Sequence, residues 1–328
     1  MLNFPEQKGS DPPLYIEDTD VDLPEQINPK TRYAFFSTIA EGGKSLIKSC
    51  QDLHLKRTVC YKTLRPEFID DPIETKRLLR EARISANLQH PNTLPTYEVG
   101  RTNRGHYYFT MKLVHGYTLR EVLDYRERYD LSQLMEVITQ VAHALAYSHS
   151  KGVLHRDIKP DNILVGPYGE VLLLDWGLAK VWHKGSKEKE SALKSAISKT
   201  EEAEIEAADN DTILQEKSMT GEGKLQGSVM YMSPEQIERD PNISFQSDIY
   251  SLGALIYESL TGLTPFQGDR VQTLLKQIQT QTPEDPRNVS NVAVPDILAT
   301  LAMNCLAKPP DNRPSSADEI VRVLKQAW

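Results

Sequence analysis

From Arg32 onward, short apolar and β-branched stretches at 33–39, 46–50 and 58–64 are separated by polar turns. Runs of this length and composition predict successive antiparallel strands. Residues 73–88 change to helical spacing, with Leu78, Leu79, Ala82 and Leu88 apolar and charges between them. Two more strands are predicted around 93–99 and 107–113. After Gly116 the period is helical: 131–149 carries Leu134, Val137, Ile138, Val141, Ala142, Leu145 and Ala146 on one stripe, and similar patterns occupy 246–261, 270–280, 295–306 and 315–326. The predicted fold class is therefore α+β and bilobal. A small antiparallel-sheet lobe with one helix (31–116) precedes a larger helical lobe (117–328), and a cleft between two such lobes is a natural ligand site.

Two segments stand outside these patterns. Residues 1–30 hold five prolines, many acids and no sustained period, which predicts a flexible leader. Residues 184–217 are dominated by Lys, Glu, Ser and Ala without one aromatic residue, which predicts a solvated, disordered insertion. The first residues have neither a basic start nor an apolar stretch, and no apolar run approaches the length of a membrane span, so a soluble, cytoplasmic protein without a membrane anchor is expected. Three scattered cysteines, Cys50, Cys60 and Cys305, suit neither a disulfide framework nor a zinc site. A formal net charge of -8 gives no support to general nucleic-acid binding, although a locally basic pocket for phosphates is compatible with it. A homodimer is compatible with the sequence.

The chemistry is concentrated in His155-Arg156-Asp157-Ile158-Lys159-Pro160-Asp161-Asn162. This stretch follows the strongest predicted helix and precedes the apolar strand Val171-Leu172-Leu173-Leu174, which runs at once into Asp175-Trp176-Gly177. Together these residues resemble the protein kinase superfamily, whose catalytic loop reads H-R-D-x-K-P-x-N and whose metal motif reads D-F-G. The resemblance runs through roughly residues 31–328 with every motif in order. It implies a protein-kinase-like fold, ATP and Mg²⁺ as cofactors, and proteins with Ser or Thr hydroxyls as substrates. On that template Asp157 accepts the proton of the incoming hydroxyl, Lys159 holds the transferring phosphate, and Asn162 and Asp175 are the metal ligands. Lys62 in Val59-Cys60-Tyr61-Lys62 stands where the family has V-A-I-K, and Glu81 stands where the ion-pair partner is expected, directing the lysine at the α- and β-phosphates.

The remaining nucleotide contacts implied by the resemblance are Ala40, Gly42, Gly43, Ser45, Ile47, Cys60, Met111, Lys112, Val114 and Leu164. Met111 resembles the gatekeeper of the adenine pocket, and the backbone of Lys112 and Val114 would meet adenine. Ile47, Cys60 and Leu164 would sandwich the ring. Here the chain departs from the family: G-x-G-x-x-G-x-V is replaced by Ala40-Glu41-Gly42-Gly43-Lys44-Ser45-Leu46-Ile47, which keeps only Gly42 of the three motif glycines. Glycine permits positive φ and close backbone approach to phosphate, so a stiffer or weaker nucleotide clamp is expected.

Gly227-Ser228-Val229-Met230-Tyr231-Met232-Ser233-Pro234-Glu235 resembles the end of a kinase activation segment, with Glu235 expected to pair structurally with Arg313 and Asp248 to brace the catalytic loop. Lys159 with Ser228 matches the serine/threonine signature, and the wording of 81–100, 111–116 and 175–180 is most similar to bacterial, eukaryotic-like Ser/Thr kinases. Two rival readings stand beside an active, autophosphorylating kinase: a nucleotide-binding pseudokinase or scaffold, motivated by Ala40, Ser45 and Cys60, and a small-molecule kinase, disfavoured by the Ser233-Pro234-Glu235 and Asp248 elements. The long interval between Asp175 and Glu235 holds the charged insertion, and Arg156 would clamp a phosphorylated residue there, with Ser218 and Thr220 the nearest acceptors. Thr220→Ala is accordingly expected to lower both phosphate incorporation and activity toward a protein substrate. Unchanged values of both would reject Thr220 as the acceptor.

Overall fold

The computed structural model describes residues 32–181 and 227–327. The leader, the insertion at 184–217, Ser218 and Thr220 lie outside the described residues. The described chain forms two compact units, the first comprising its residues up to Gln89 together with Leu94–Gly116 and the Gly166–Gly169 turn.

The first unit is built on a five-stranded antiparallel sheet in the order β1-β2-β3-β5-β4: β1 Tyr33–Glu41, β2 Ser45–Asp52, β3 Arg57–Leu64, β4 Thr96–Arg101 and β5 Tyr107–Lys112. Alternation along β3 sends Tyr61 to one face and Lys62 to the other. On the Tyr61 face, Tyr61 and Tyr108 stack at 4.4 Å, and Tyr33 meets both rings edge-on. Arg32 closes that face by gripping buried Asp52 through two hydrogen bonds of 2.9 and 2.8 Å and Glu98 through one of 2.6 Å. On the Lys62 face lies helix α1, Pro72–Asn87. Asp71 starts it by accepting from the amides of Ile73 and Glu74, and Pro72 supplies a preset φ at its first position. Its Leu78 and Ala82 pack with Cys60, Leu64, Phe109 and Met111, and Ile47 lies against the same cluster.

The second unit is mostly helical: α2 Leu119–Asp124, α3 Leu131–Ser150, α4 Pro234–Ile237, α5 Phe245–Thr261, α6 Val271–Thr280, α7 Pro286–Val289, α8 Asp296–Cys305 and α9 Ala317–Gln326. Helix α5 is buried on all sides from Ser247 to Thr261, as its nearly continuous small and apolar sequence dictates. Gly253 lets α8 approach, since a Cβ there would overlap the Cys305 side chain. The helix stops at Gly262, whose φ of 77° suits glycine, and Arg126 covers its last carbonyls at Ser259 and Leu260. Short strands complete the unit: β6 Tyr117–Thr118, β8 Ile163–Val165 and β9 Val171–Leu173 form one sheet, β7 Val153–Leu154 and β10 Lys180–Val181 another. No described helix is long and apolar enough to cross a membrane.

One predicted strand is shorter than expected. The stretch read as 93–99 becomes β4 only at Thr96. Thr93 instead bridges Leu173 in parallel, and Asn92 accepts from Leu173 N–H, so His90–Thr93 belongs to the second unit. The expected Glu235–Arg313 pair is formed. Arg313 donates to the two carboxylate oxygens at 2.6 and 2.9 Å, and its other N–H groups meet the carbonyls of Gln246, Ala307 and Lys308. Burial alone would raise the Glu235 pKa, but the Arg313 hydrogen bonds outweigh it and hold the carboxyl below its ordinary value. The pair's contribution is therefore present at neutral pH and lost as pH falls through that lowered value. Arg313→Met strands the buried carboxylate and is expected to lower unfolding stability by about 3–5 kcal/mol, measured by urea titration at neutral pH.

Candidate active site

Helix α1 presents one buried stripe that is half charged: Glu74, Arg77, Leu78, Glu81, Ala82 and Ser85 recur at the three- and four-residue spacing of a helix face. From its middle, Glu81 accepts two hydrogen bonds from Lys62 Nζ, at 2.6 and 2.8 Å. Both residues are 8% exposed, and the Lys62 ammonium also lies 5.9 Å from the centroid of the Phe109 ring. A charge so placed needs its partner, because either one alone would be stranded out of water. Cross-strand register puts Ile47, Cys60, Lys62 and Met111 on the same sheet face. Burial pushes the Cys60 thiol up to about 12, with nearby Cys50 adding to the rise, so it sits there as a small apolar group. Lys112 follows Met111 and donates its amide to the Pro95 carbonyl, and Val114 lies just beyond the end of β5.

The glycine-poor turn between β1 and β2 is a closed hairpin. Ala40 pairs with Ile47, and the Gly42 amide donates to the Ser45 carbonyl at 2.8 Å. Neither Gly42 nor Gly43 adopts positive φ. What Gly42 supplies is room, since a Cβ there would stand 3.0 Å from Ser45 Oγ.

In the second unit the catalytic-loop motif folds around one buried carboxylate. Asp248, fully buried in α5, accepts from the amide of His155 at 2.9 Å, from the amide of Arg156 at 2.8 Å and from His149 Nε2 at 2.8 Å. Burial would raise the Asp248 pKa, but the hydrogen bond and charge of His149, followed by His155, hold it below its ordinary value. Arg156 has a φ of 69°, left-handed backbone that costs about 1–3 kcal/mol for such a residue. The two amides taken by Asp248, with Gln236 donating to the Arg156 carbonyl and Arg156 Nε donating to Leu178, hold it there. His155 Nδ1 accepts from the Asp157 amide, which leaves the ring proton on Nε2, donated to the Leu174 carbonyl.

That turn delivers Asp157. One of its oxygens, Oδ2, receives Lys159 Nζ at 2.7 Å and Asn162 Nδ2 at 2.8 Å, and the same Asn162 nitrogen donates to the Asp157 carbonyl. Lys159 also lies 3.3 Å from Ser228 Oγ. Burial disfavours the Lys159 ammonium, yet the charges of Asp157, Asp175 and Asp161 more than offset it, so its pKa is raised and the group stays cationic. Asn162 can reach those two acceptors only through its NH₂ group, so its Oδ1 is the atom that could serve a cation. The Asn162 carbonyl accepts the Leu174 amide, which sets Asp175 directly beside it in sequence and backbone pairing. Asp175 is itself left-handed, with a φ of 58°, and its Oδ1 accepts the Gly177 amide at 3.2 Å. Trp176, where the family has phenylalanine, is 1% exposed and packs edge-on against His155 at 4.5 Å.

Among the described residues no group of three or more His, Cys, Asp or Glu forms a cage for a metal ion. An amide oxygen and a carboxylate are nevertheless a donor set that fits Mg²⁺, which keeps waters and phosphate oxygens at its other positions. Leu164 in β8 packs within the second unit. His149 escaped sequence reading, because nothing in its spacing from Asp248 advertises the contact. Asp248→Asn is expected to put an NH₂ group against at least one of its three donors and lower stability by about 1–3 kcal/mol for each donor stranded, read by thermal and urea unfolding.

Comparison with known proteins matches residues 33–328 to the protein kinase domain. Among curated proteins, the chain is 34% identical over 307 residues to serine/threonine-protein kinase PknD of Protochlamydia amoebophila, covering 89% of this chain and 29% of that protein. It is 31% identical over 305 residues to PknD of Chlamydia muridarum, covering 90% and 31%. Against serine/threonine-protein kinase PrkC of Bacillus subtilis it is 30% identical over 298 residues, covering 90% and 40%. The chain thus spans about a third of the length of the curated relatives it matches. With a family match over nearly its whole length and the catalytic-loop geometry above, the chain belongs to the protein kinase family.

Proposed function

We propose that this chain is an active serine/threonine protein kinase that transfers the γ-phosphoryl group of Mg²⁺-bound ATP to protein hydroxyls, its own among them. The observation that carries this reading is the Asp157 carboxylate, held on one oxygen by Lys159 and Asn162 within a loop whose backbone is fixed by Asp248. The kinase names of the relatives support the same activity.

The roles follow from which atoms are engaged. With two donors on Oδ2, Asp157 keeps a set rotation and offers Oδ1 to the incoming hydroxyl, whose proton it takes as the phosphoryl group arrives. Lys159, cationic and within reach of Ser228, holds the phosphoryl oxygens beside that hydroxyl. Lys62, aimed by Glu81, meets the α- and β-phosphates as a point charge. Asn162 Oδ1 and the Asp175 carboxylate would hold Mg²⁺, which neutralises charge on the triphosphate. Ala40, Gly42, Gly43 and Ser45 would cover the phosphates, and Ile47, Cys60, Met111, Lys112, Val114 and Leu164 would surround adenine.

Labelled ATP with Mg²⁺ tests the proposal, using wild type beside Asp157→Asn and Asp175→Ala. Wild type is expected to place label on protein Ser and Thr, and removing the base in Asp157→Asn should slow transfer by roughly 10²–10⁴-fold. Asp175→Ala should lose transfer together with its Mg²⁺ dependence. Nucleotide bound without transfer by wild type would favour the pseudokinase reading instead.

A further inference from the structure

The β1–β2 hairpin carries a lysine that sequence reading passed over. Lys44 sits in the turn, where its carbonyl accepts the Arg65 amide at 2.9 Å. Its side chain reaches helix α1: Nζ donates to Glu74 Oε1 at 2.8 Å, and the same oxygen accepts Arg77 Nη1 at 2.6 Å. The Glu74 side chain is 8% exposed and that of Lys44 22%, so solvent screens the pair only partly. Glu74 and Glu81 stand seven residues apart on the same buried stripe, roughly 10 Å along one helix axis. One helix therefore holds the hairpin through Glu74 and Lys62 through Glu81.

We propose that Lys44 is a positioning residue for nucleotide binding: its ion pair with Glu74 fixes the hairpin against α1 before ATP arrives and links the hairpin's place to that of Glu81. The inference rests on the nucleotide-binding reading above and deepens it. A turn with three motif glycines leaves ordering to the ligand, at an entropic cost to affinity. Here Ala40 and Ser45 have already narrowed the backbone's choices, and the Lys44–Glu74 contact narrows them further. Two motif glycines are missing, and a charged tether stands beside them.

The test is calorimetric Mg²⁺–ATP binding together with kcat and KM for ATP, on the full chain carrying Lys44→Met, Glu74→Gln, both substitutions, or Lys44→Arg. Each of the first two is expected to raise Kd and KM for ATP by roughly three- to tenfold with kcat within about twofold of wild type, the double variant is expected to be no worse than either single one, and Lys44→Arg to retain near-native affinity. If Glu74→Gln does not fold, Glu74→Asp takes its place, pulling the carboxylate out of reach of Lys44 while keeping a charge beside Arg77. Weaker binding in Lys44→Met with unchanged or tighter binding in the Glu74 variant would overturn the proposal, since Lys44 would then be acting on the phosphates directly. Additive losses in the double variant, or no loss in either single one, would overturn it as well. A wild type that binds Mg²⁺–ATP without transferring phosphate removes the kinase activity only, and the binding comparison still decides the tether. A wild type that binds no nucleotide overturns both.

Discussion

Everything chemical in the second unit depends on one carboxylate with no access to water. Asp248 takes two consecutive main-chain amides and an imidazole, and so forces the chain at Arg156 into a conformation that the residue would not choose. A buried charge is tolerable only when its lone pairs are filled, and here they are filled by the groups whose positions matter. The constraint then passes outward. The bent backbone puts the Asp157 amide on His155, His155 reaches the strand end at Leu174, and Leu174 is bonded to Asn162. Asp157, Lys159, Asn162 and Asp175, the candidate base, lysine and metal ligands, therefore belong to one connected framework of side-chain and main-chain hydrogen bonds.

Two other buried ion pairs serve different ends. Arg313 spends all five of its donors, two on Glu235 and three on carbonyls, in the planar fork geometry that guanidinium allows. Such a group is locked on every side and knits α4 to the chain before α9. Lys62 is a compact ammonium at the end of a flexible stem, gripped by both oxygens of Glu81. A point charge of this kind is directed by its partner without being locked into a planar fork, which suits the role proposed for it toward phosphates. The choice of cation in each place follows that division.

Much of this was legible in the sequence, for identifiable reasons. The five long strands and the long helices announced themselves through periodicity, and the catalytic loop through a run of residue types that no ordinary turn requires. Periodicity is silent for β6, β7 and β10, each two residues long. It misjudged the start of β4, because Thr93 is apolar enough to continue a strand but is captured by Leu173. Two long-range polar contacts were hidden for another reason. His149 and Lys44 are ordinary residues in their local contexts, and only the folded chain brings them to Asp248 and Glu74. Sequence could not say which property of the turn glycines is used; Gly42 supplies space and not left-handed backbone.

Tryptophan in place of phenylalanine after Asp175 has a consequence of its own. Trp176 is sealed from solvent, with its indole ring edge-on to His155 and its neighbour in the chain the carboxylate Asp175. Indole emission shifts with the electric field across the ring. Trp176, one of three tryptophans in the chain, therefore sets a native fluorophore against His155, and with the other two substituted its emission follows the surroundings of that loop without any label being attached.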